Sequence, residues 1–153
     1  MAAHLVVNVE AAICRGDSWL IIERSTAETH AGGLLAMPGG TVEESDGGLE
    51  ECVRREVIEE VGVDLQSRLE YVESKMFFSA RGRWVMNIVF LAEYASGEPV
   101  AGDPAEVASV AWRPLDEVFA HTNTPVWLKN SLAAAQRRRT ELGWPTQGGT
   151  ASE

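Results

Sequence analysis

Three glutamates, Glu56, Glu59 and Glu60, stand within five residues of one another in the stretch RREVIEEVGV, positions 54–63. An α-helix advances about 100° per residue, so Glu59 and Glu60 fall within roughly 60° of Glu56 on either flank. Like charges at these spacings repel, by about 0.2–0.5 kcal/mol per pair at an exposed site. They also sit near the end of the helix, where the macrodipole favours cations. With Glu56 set at zero, Leu49, Val53, Val57 and Val61 lie near ~20°, ~60°, ~100° and ~140°, and Cys52 near ~320°. Glu56 and Glu60 therefore share the arc that must face the core, where an unpaired charge costs on the order of several kcal/mol. Protonation, an arginine partner or a bound hard cation would each relieve the conflict. Arg55 precedes Glu59 by four residues and can pair with it, but one arginine cannot neutralise three carboxylates. Clustered carboxylate oxygens are the donor set that Mg²⁺, Mn²⁺ or Ca²⁺ prefers.

Such a helix needs elements that hold it against something. The apolar spacing of three and four predicts a helix over 49–61, with Gly62 as its C′ residue and Ser45 or Asp46 as its N-cap. Just upstream, MPGGTVEE places Gly39 and Gly40 at the mouth of a short strand, LLAMPGG, that Pro38 ends. Glycines there allow close backbone approach, and an exposed carbonyl can reach a metal held by the helix. Residues 5–14 read as a strand rich in β-branched residues, RGDS as a turn, and 19–24 as the hairpin partner. Further strands are predicted at 69–73, 75–79, 84–94 and 107–112, with 84–94 central. A short helical turn is predicted at 116–120, and a long helix from about Pro125 to Leu142, closed by Gly143. Strands and helices in this order imply a mixed sheet in an α/β (α+β) layered domain, one unit over residues 1–145 with a tail at 146–153.

Net charge is −10. That argues against a nucleic-acid polymer or an anionic membrane surface as partner, since both bind through basic patches. A small phosphorylated ligand remains compatible, because a bound divalent cation can supply the local positive charge. No run of 18 apolar residues is present, so no transmembrane helix is expected. The N-terminus lacks a basic region and contains Glu10, which reads as a strand rather than a signal peptide. Cys14 and Cys52 have no metal-ligand spacing and are expected as buried, reduced thiols of a cytoplasmic protein. The run Arg137–Arg139 near a helix end complements the dipole better than it suggests nucleic-acid binding.

The segment GGTVEESDGGLEECVRREVIEEVGV resembles the Nudix box, Gly-x5-Glu-x7-Arg-Glu-U-x-Glu-Glu-x-Gly-U with U aliphatic. Arg55, Glu56, Val57, Glu59, Glu60, Gly62 and Val63 match the second half without exception. The first half departs: Gly40 to Arg55 holds one residue too many, and the first glutamate is replaced by Asp46 or lost beside Gly47–Gly48. The flanks, ERSTAETHAGGLLAMPGG and GEPVAGDPAEVASVAWRPLDEV, are similar to those of small MutT-type members, so the resemblance covers roughly residues 5–130.

The resemblance implies a Nudix fold, a mixed sheet between helices in α/β/α layers. It also implies Mg²⁺-dependent hydrolysis (with Mn²⁺ as a possible substitute) of a nucleoside diphosphate linked to another moiety. By position, Glu56, Glu59 and Glu60 would ligate the cation with help from the Gly40 carbonyl, Arg55 would orient them, and Glu56 is one candidate general base. A loop acid, Asp103 or Glu106, would complete the site, with Asp103 slightly favoured. Arg24 would meet phosphate unless it is merely an exposed strand end. Asn123 would read a base edge, or simply precede a helix. Phe78, with Phe77 and Trp84, would stack a base or pack as sheet surface. The expected substrate is a small-molecule nucleotide, first a nucleoside triphosphate, whether or not its purine is oxidised. The alternatives are ADP-ribose or a dinucleotide, or nucleotide binding without catalysis, in a monomer or homodimer.

Overall fold

The computed structural model describes residues 4–28 and 30–146. Ten elements follow in order: β1 (Leu5–Arg15), β2 (Ser18–Arg24), β3 (Leu35–Ala36), β4 (Gly39–Thr41), α1 (Leu49–Val61), β5 (Asp64–Phe78), β6 (Trp84–Ser96), β7 (Val107–Pro114), α2 (Leu115–Ala120) and α3 (Val126–Leu142). The strands form one mixed sheet whose main path runs β3-β2-β1-β6-β5, with β4 added to β1 and β7 to β2. β1 is parallel to β6 over ten residue pairs and antiparallel to its other neighbours. As the sequence reading expected, β6 lies inside the sheet.

Alternation along the strands sends side chains to two separate cores. Val9, Ala11 and Ile13 of β1 join Ile88 and Phe90 of β6 beneath Cys52, Val53, Val57 and Val61 of α1. Ala12 and Cys14 join Val89 and Leu91 on the opposite face, beneath Leu128, Leu132 and Ala135 of α3 and Val118 of α2. The result is the α/β/α layering the resemblance implied. Both cysteines are free and buried.

One irregularity of the sheet positions the site. β1 and β2 pair at Cys14↔Trp19 and Arg15↔Ser18 around the Gly16–Asp17 turn, then part. Into the fork slips the chain around Pro38: Ala11 N–H donates to the Pro38 carbonyl at 2.8 Å, and β4 pairs Glu10↔Gly39, Val9↔Gly40 and Asn8↔Thr41. The two glycines therefore lie within a strand of their own, and Pro38 separates it from β3. Gly39 has no room for a side chain, because a Cβ would overlap the Val9 carbonyl.

Several expectations are corrected in detail. Positions 69–73 and 75–78 belong to one long strand, Asp64–Phe78, whose bulges break the alternation that marks a continuous strand, and Ser79 lies just past its end. Neither Ser45 nor Asp46 caps α1; the N-cap is Gly48, with no side-chain cap bond. Pro125 is the N-cap of α3 rather than part of its first turn. Of the expected tail, residues 147–153 lie outside the described residues. No helix is long and apolar enough to cross a membrane among the described residues.

Candidate active site

Helix α1 presents its glutamates as the angular reading required. Val57 and Val61 are fully buried, and this rotation turns Glu56 toward β4 with its side chain 15% exposed. Glu59, on the other flank, is 59% exposed. Glu60 is half-buried, and the Gly39 N–H is its only hydrogen-bond donor among the described residues, at 3.4 Å. Gly40 lies directly against Glu56: a Cβ there would overlap the Glu56 carboxylate, so only glycine permits this approach.

Arg55 organises the cluster. Its Nη1 donates to Glu56 Oε1 at 2.8 Å and to Glu59 Oε2 at 3.1 Å, and approaches Glu43 Oε1 at 3.8 Å. Its Nε and Nη2 grip Asp46 as a fork, at 2.8 Å to each carboxylate oxygen. The Asp46 side chain is 2% exposed and also accepts the Glu43 N–H at 2.8 Å, so it closes the loop and holds the arginine at once. The Arg55 guanidinium beside it keeps the Asp46 carboxyl well below the usual carboxylate range. Asp46 thus stands in for the replaced glutamate, one residue early counted back from Arg55, and supports both the loop and the arginine. The extra residue is absorbed around Gly47, whose N–H donates to Glu51 Oε2 at 3.1 Å.

Burial raises the Glu56 pKa, against the pull of Arg55, with the Glu59 and Glu43 charges adding to the rise. Burial pushes Glu60 up to about 7; the Gly39 N–H and Arg24 oppose the shift, while Glu56 and Glu106 reinforce it. The fold therefore gathers several acids around one arginine and leaves Glu60 without a cation in hydrogen-bonding contact among the described residues. Among those residues no three acidic, histidine or cysteine side chains converge on a single point. Arg55 explains this, since it draws Glu56 and Glu59 toward itself. A hard oxygen-seeking cation fits the donor set that remains: Glu56 Oε2 facing Gly40, the Glu60 carboxylate, and Glu59 once it leaves Arg55.

The other candidates fall at different distances from this centre. Glu106 lies close enough for its charge to act on Glu60. Asp103 spends its Oδ1 on the Ala105 N–H, closing a turn in the same loop. That loop leans on the end of α1 through the Gly102 N–H, which donates to the Glu60 carbonyl at 2.8 Å. Arg24, at the end of β2, carries a charge felt by both Glu60 and Glu10, and is tethered to the His30 carbonyl at 3.1 Å and to Glu28 at 3.6 Å. Asn123 is exposed, and its carbonyl accepts the Leu35 N–H at 2.9 Å, which ties the segment before α3 to β3. Phe78 is not brought to the glutamates. It pairs with Trp84, which pairs with Leu5, four residues or roughly 13 Å along β1 from the Val9–Gly40 pair.

One acid escaped the sequence reading as a neighbour of this centre, and a second as a backbone neighbour of its glycine strand. Glu43 approaches Arg55 directly. Glu10 pairs through its backbone with Gly39, and its side chain accepts a hydrogen bond from Asn87. The signal for Glu10 was available: a lone carboxylate within an otherwise apolar strand.

The NUDIX domain profile matches residues 4–135. The chain is 35% identical over 107 residues to the NAD-capped RNA hydrolase NudC of Citrobacter koseri, a match covering 70% of this chain and 38% of that protein. It thus spans well under half the length of that relative. Its fold is similar to the MutT NUDIX hydrolase from Burkholderia pseudomallei, with TM-score 0.74, 27% identity, and coverage of 86% of this chain and 98% of the other. It is also similar to the NUDIX domain of Shewanella oneidensis NrtR complexed with ADP ribose, with TM-score 0.67, 22% identity, and coverage of 93% and 90%. Together with the acidic helix and its glycine strand, the match over most of its length shows that the chain belongs to the NUDIX domain family.

Proposed function

We propose that this chain hydrolyses the diphosphate linkage of a small nucleoside diphosphate derivative in a reaction that depends on Mg²⁺, with a nucleoside triphosphate cleaved to monophosphate and pyrophosphate as the first reading. The observation that carries it is the seating of Glu56 and Glu60 against Gly39 and Gly40, with Glu59 on the same helix. When bound, a divalent cation neutralises phosphate charge and acidifies water. Glu56, Glu59 and Glu60 would hold it, with the Gly40 carbonyl and Glu106 or Asp103 as further oxygen donors; the Glu106 charge at Glu60 favours Glu106.

The chain's own residues have distinct tasks. Arg55 fixes Glu56 Oε1 and leaves Oε2 as the atom able to take a proton, so Glu56 is the candidate general base. Arg24, whose charge acts on Glu60, would meet a phosphate oxygen. The side-chain amide of Asn123 offers both a donor and an acceptor to a base edge.

A second reading, a dinucleotide such as NAD or an ADP-ribose conjugate, draws support from the NudC relatives and the ADP ribose complex of a structural neighbour. A phosphate-release screen with and without Mg²⁺ tests both, over nucleoside triphosphates, oxidised purine nucleotides, ADP-ribose and dinucleotides. Pyrophosphate from triphosphates supports the first reading. Two monophosphates from dinucleotides, without pyrophosphate, support the second. Nucleotide binding with no turnover of any compound would overturn both.

A further inference from the structure

β5 is an edge strand: among the described residues its only strand partner is β6, and beyond Ser67, whose carbonyl like those of Leu65 and Gln66 is held by Arg54, the other side of the strand has no partner strand. Soluble proteins guard such an edge with proline, unpaired charge or a bulge. β5 contains no proline, its bulges all precede Glu73 and leave 73–78 in regular register, and its central charges are spent within the chain. Arg68 meets Glu70 at 2.7 Å, Glu70 also meets Arg138 at 3.3 Å, and Lys75 meets Glu73 at 3.1 Å. No net charge at the centre of this edge opposes the approach of another strand.

The last third of the strand is apolar and uncovered. Met76 is 55% exposed and Phe78 60%, with Tyr71, Phe77, Trp84 and Leu5 each at least 40% exposed. Phe77 projects on the α3 side; the other three half-exposed rings, of about 150–250 Å² each, with Met76 and Leu5 leave on the order of 400 Å² of apolar surface on the α1 side. That lies within the range for the largest patch on a monomer and supplies about half of the roughly 800 Å² per partner of a standard interface.

We propose that two copies of this chain join their β5 edges antiparallel about a two-fold axis at Ser74, continuing the sheet from one subunit into the next. Charge selects this arrangement. Antiparallel pairing centred on Ser74 sets Glu73 opposite Lys75 of the partner subunit, and does so twice, whereas in-register parallel pairing would set like charge against like. The bulge between Tyr71 and Glu73 adds one residue to the strand, and counting past it sets Tyr71 opposite Met76 of the partner subunit. Tyr71 pairs with Phe90 and Met76 with Met86 across β6, so both project on the α1 side of the sheet and can bury each other. An isologous contact of this kind closes after two copies.

Sedimentation equilibrium on the whole chain is the test, with a monomer mass of 16.6 kDa. Wild type is expected at twice that mass in the micromolar range. Met76→Lys combined with Phe78→Lys is expected at the monomer mass with an unchanged far-UV spectrum. Ile58→Lys, on the exposed outer face of α1, is expected to leave the dimer intact. Glu73→Lys is expected to weaken the dimer at least tenfold, and adding Lys75→Glu to restore it. Monomer at every concentration up to roughly 100 μM would overturn the proposal. So would a dimer indifferent to the Met76 and Phe78 changes, or failure of the charge swap to rescue a folded Glu73→Lys protein.

Discussion

Helices α1 and α3 pack on opposite faces of one sheet and end alike, each on a left-handed glycine, Gly62 and Gly143. They differ in what they do with buried polarity. In α3, Ser131 donates to Glu73 at 2.7 Å, and the buried Arg139 lies over the Trp19 ring and donates to the Pro145 carbonyl. Its charge sits at the helix end that favours a cation. In α1 the sign is reversed: carboxylates crowd the last turns, one arginine serves two of them, and Glu60 has a single long hydrogen bond. Polar groups on α3 find their partners inside the protein, except the buried Arg139 Nε, which has none among the described residues. Those on α1 are left short of positive charge, which is the mark of a helix built around something it must still bind.

Substitutions should break this contrast in graded steps. Glu56→Gln should lower kcat by about 10²–10⁴-fold, the range for loss of a general base, with Tm at least as high as wild type, since it removes a charge that burial disfavours. A folded variant with wild-type turnover would remove Glu56 from the site. Gly40→Ala should follow at about 10²-fold, because the new methyl displaces the Glu56 carboxylate; kcat/KM against circular dichroism separates this from misfolding. Asp46→Ala, which leaves Arg55 without its fork, should cost about 10–100-fold in activity or cation affinity. Gly143→Ala is the matched control on α3: its Cβ would touch nothing, so only the strain of a left-handed residue remains, about 1 kcal/mol in denaturant unfolding with activity unchanged.

How much of this was legible differs by element. The bounds of α1 and the inward turn of Glu56 and Glu60 followed from residue spacing, because helical periodicity and burial are both local consequences of the same pattern. Asp46 was read as an N-cap because Asp near a helix start usually caps it. Its partner, Arg55, lies nine residues away, and only the folded loop shows that the stronger fork wins. The glycine pair read as the mouth of the preceding strand rather than a strand of its own, since nothing local reveals that β1 and β2 part to admit a strand between them. β5 was split in two because bulges interrupt its alternation. Of the two loop acids, Asp103 was slightly favoured over Glu106, yet tertiary packing against the end of α1 makes Glu106 the one whose charge acts on Glu60.

Acidity offers a further handle. Glu60 titrates near 4.5 when unperturbed, and burial pushes it to about 7 in the fold. The metal-free native state therefore holds a proton that the unfolded chain has lost. That stabilising contribution is complete below about pH 4.5 and disappears as pH rises through about 7. Tm in EDTA should fall between pH 5.5 and 8, and Mn²⁺ should raise Tm more at pH 8 than at pH 5.5, because deprotonated carboxylates are the ligands.

The central claim is that Glu56, Glu59 and Glu60 hold a divalent cation. Calorimetric titration of Mn²⁺ at pH 8 into wild type, Glu56→Gln, Glu60→Gln and the α3 control Glu141→Gln tests it most directly. The account predicts binding in wild type and Glu141→Gln, with at least about tenfold weaker binding in both α1 variants. Equal affinity in all four proteins would contradict it.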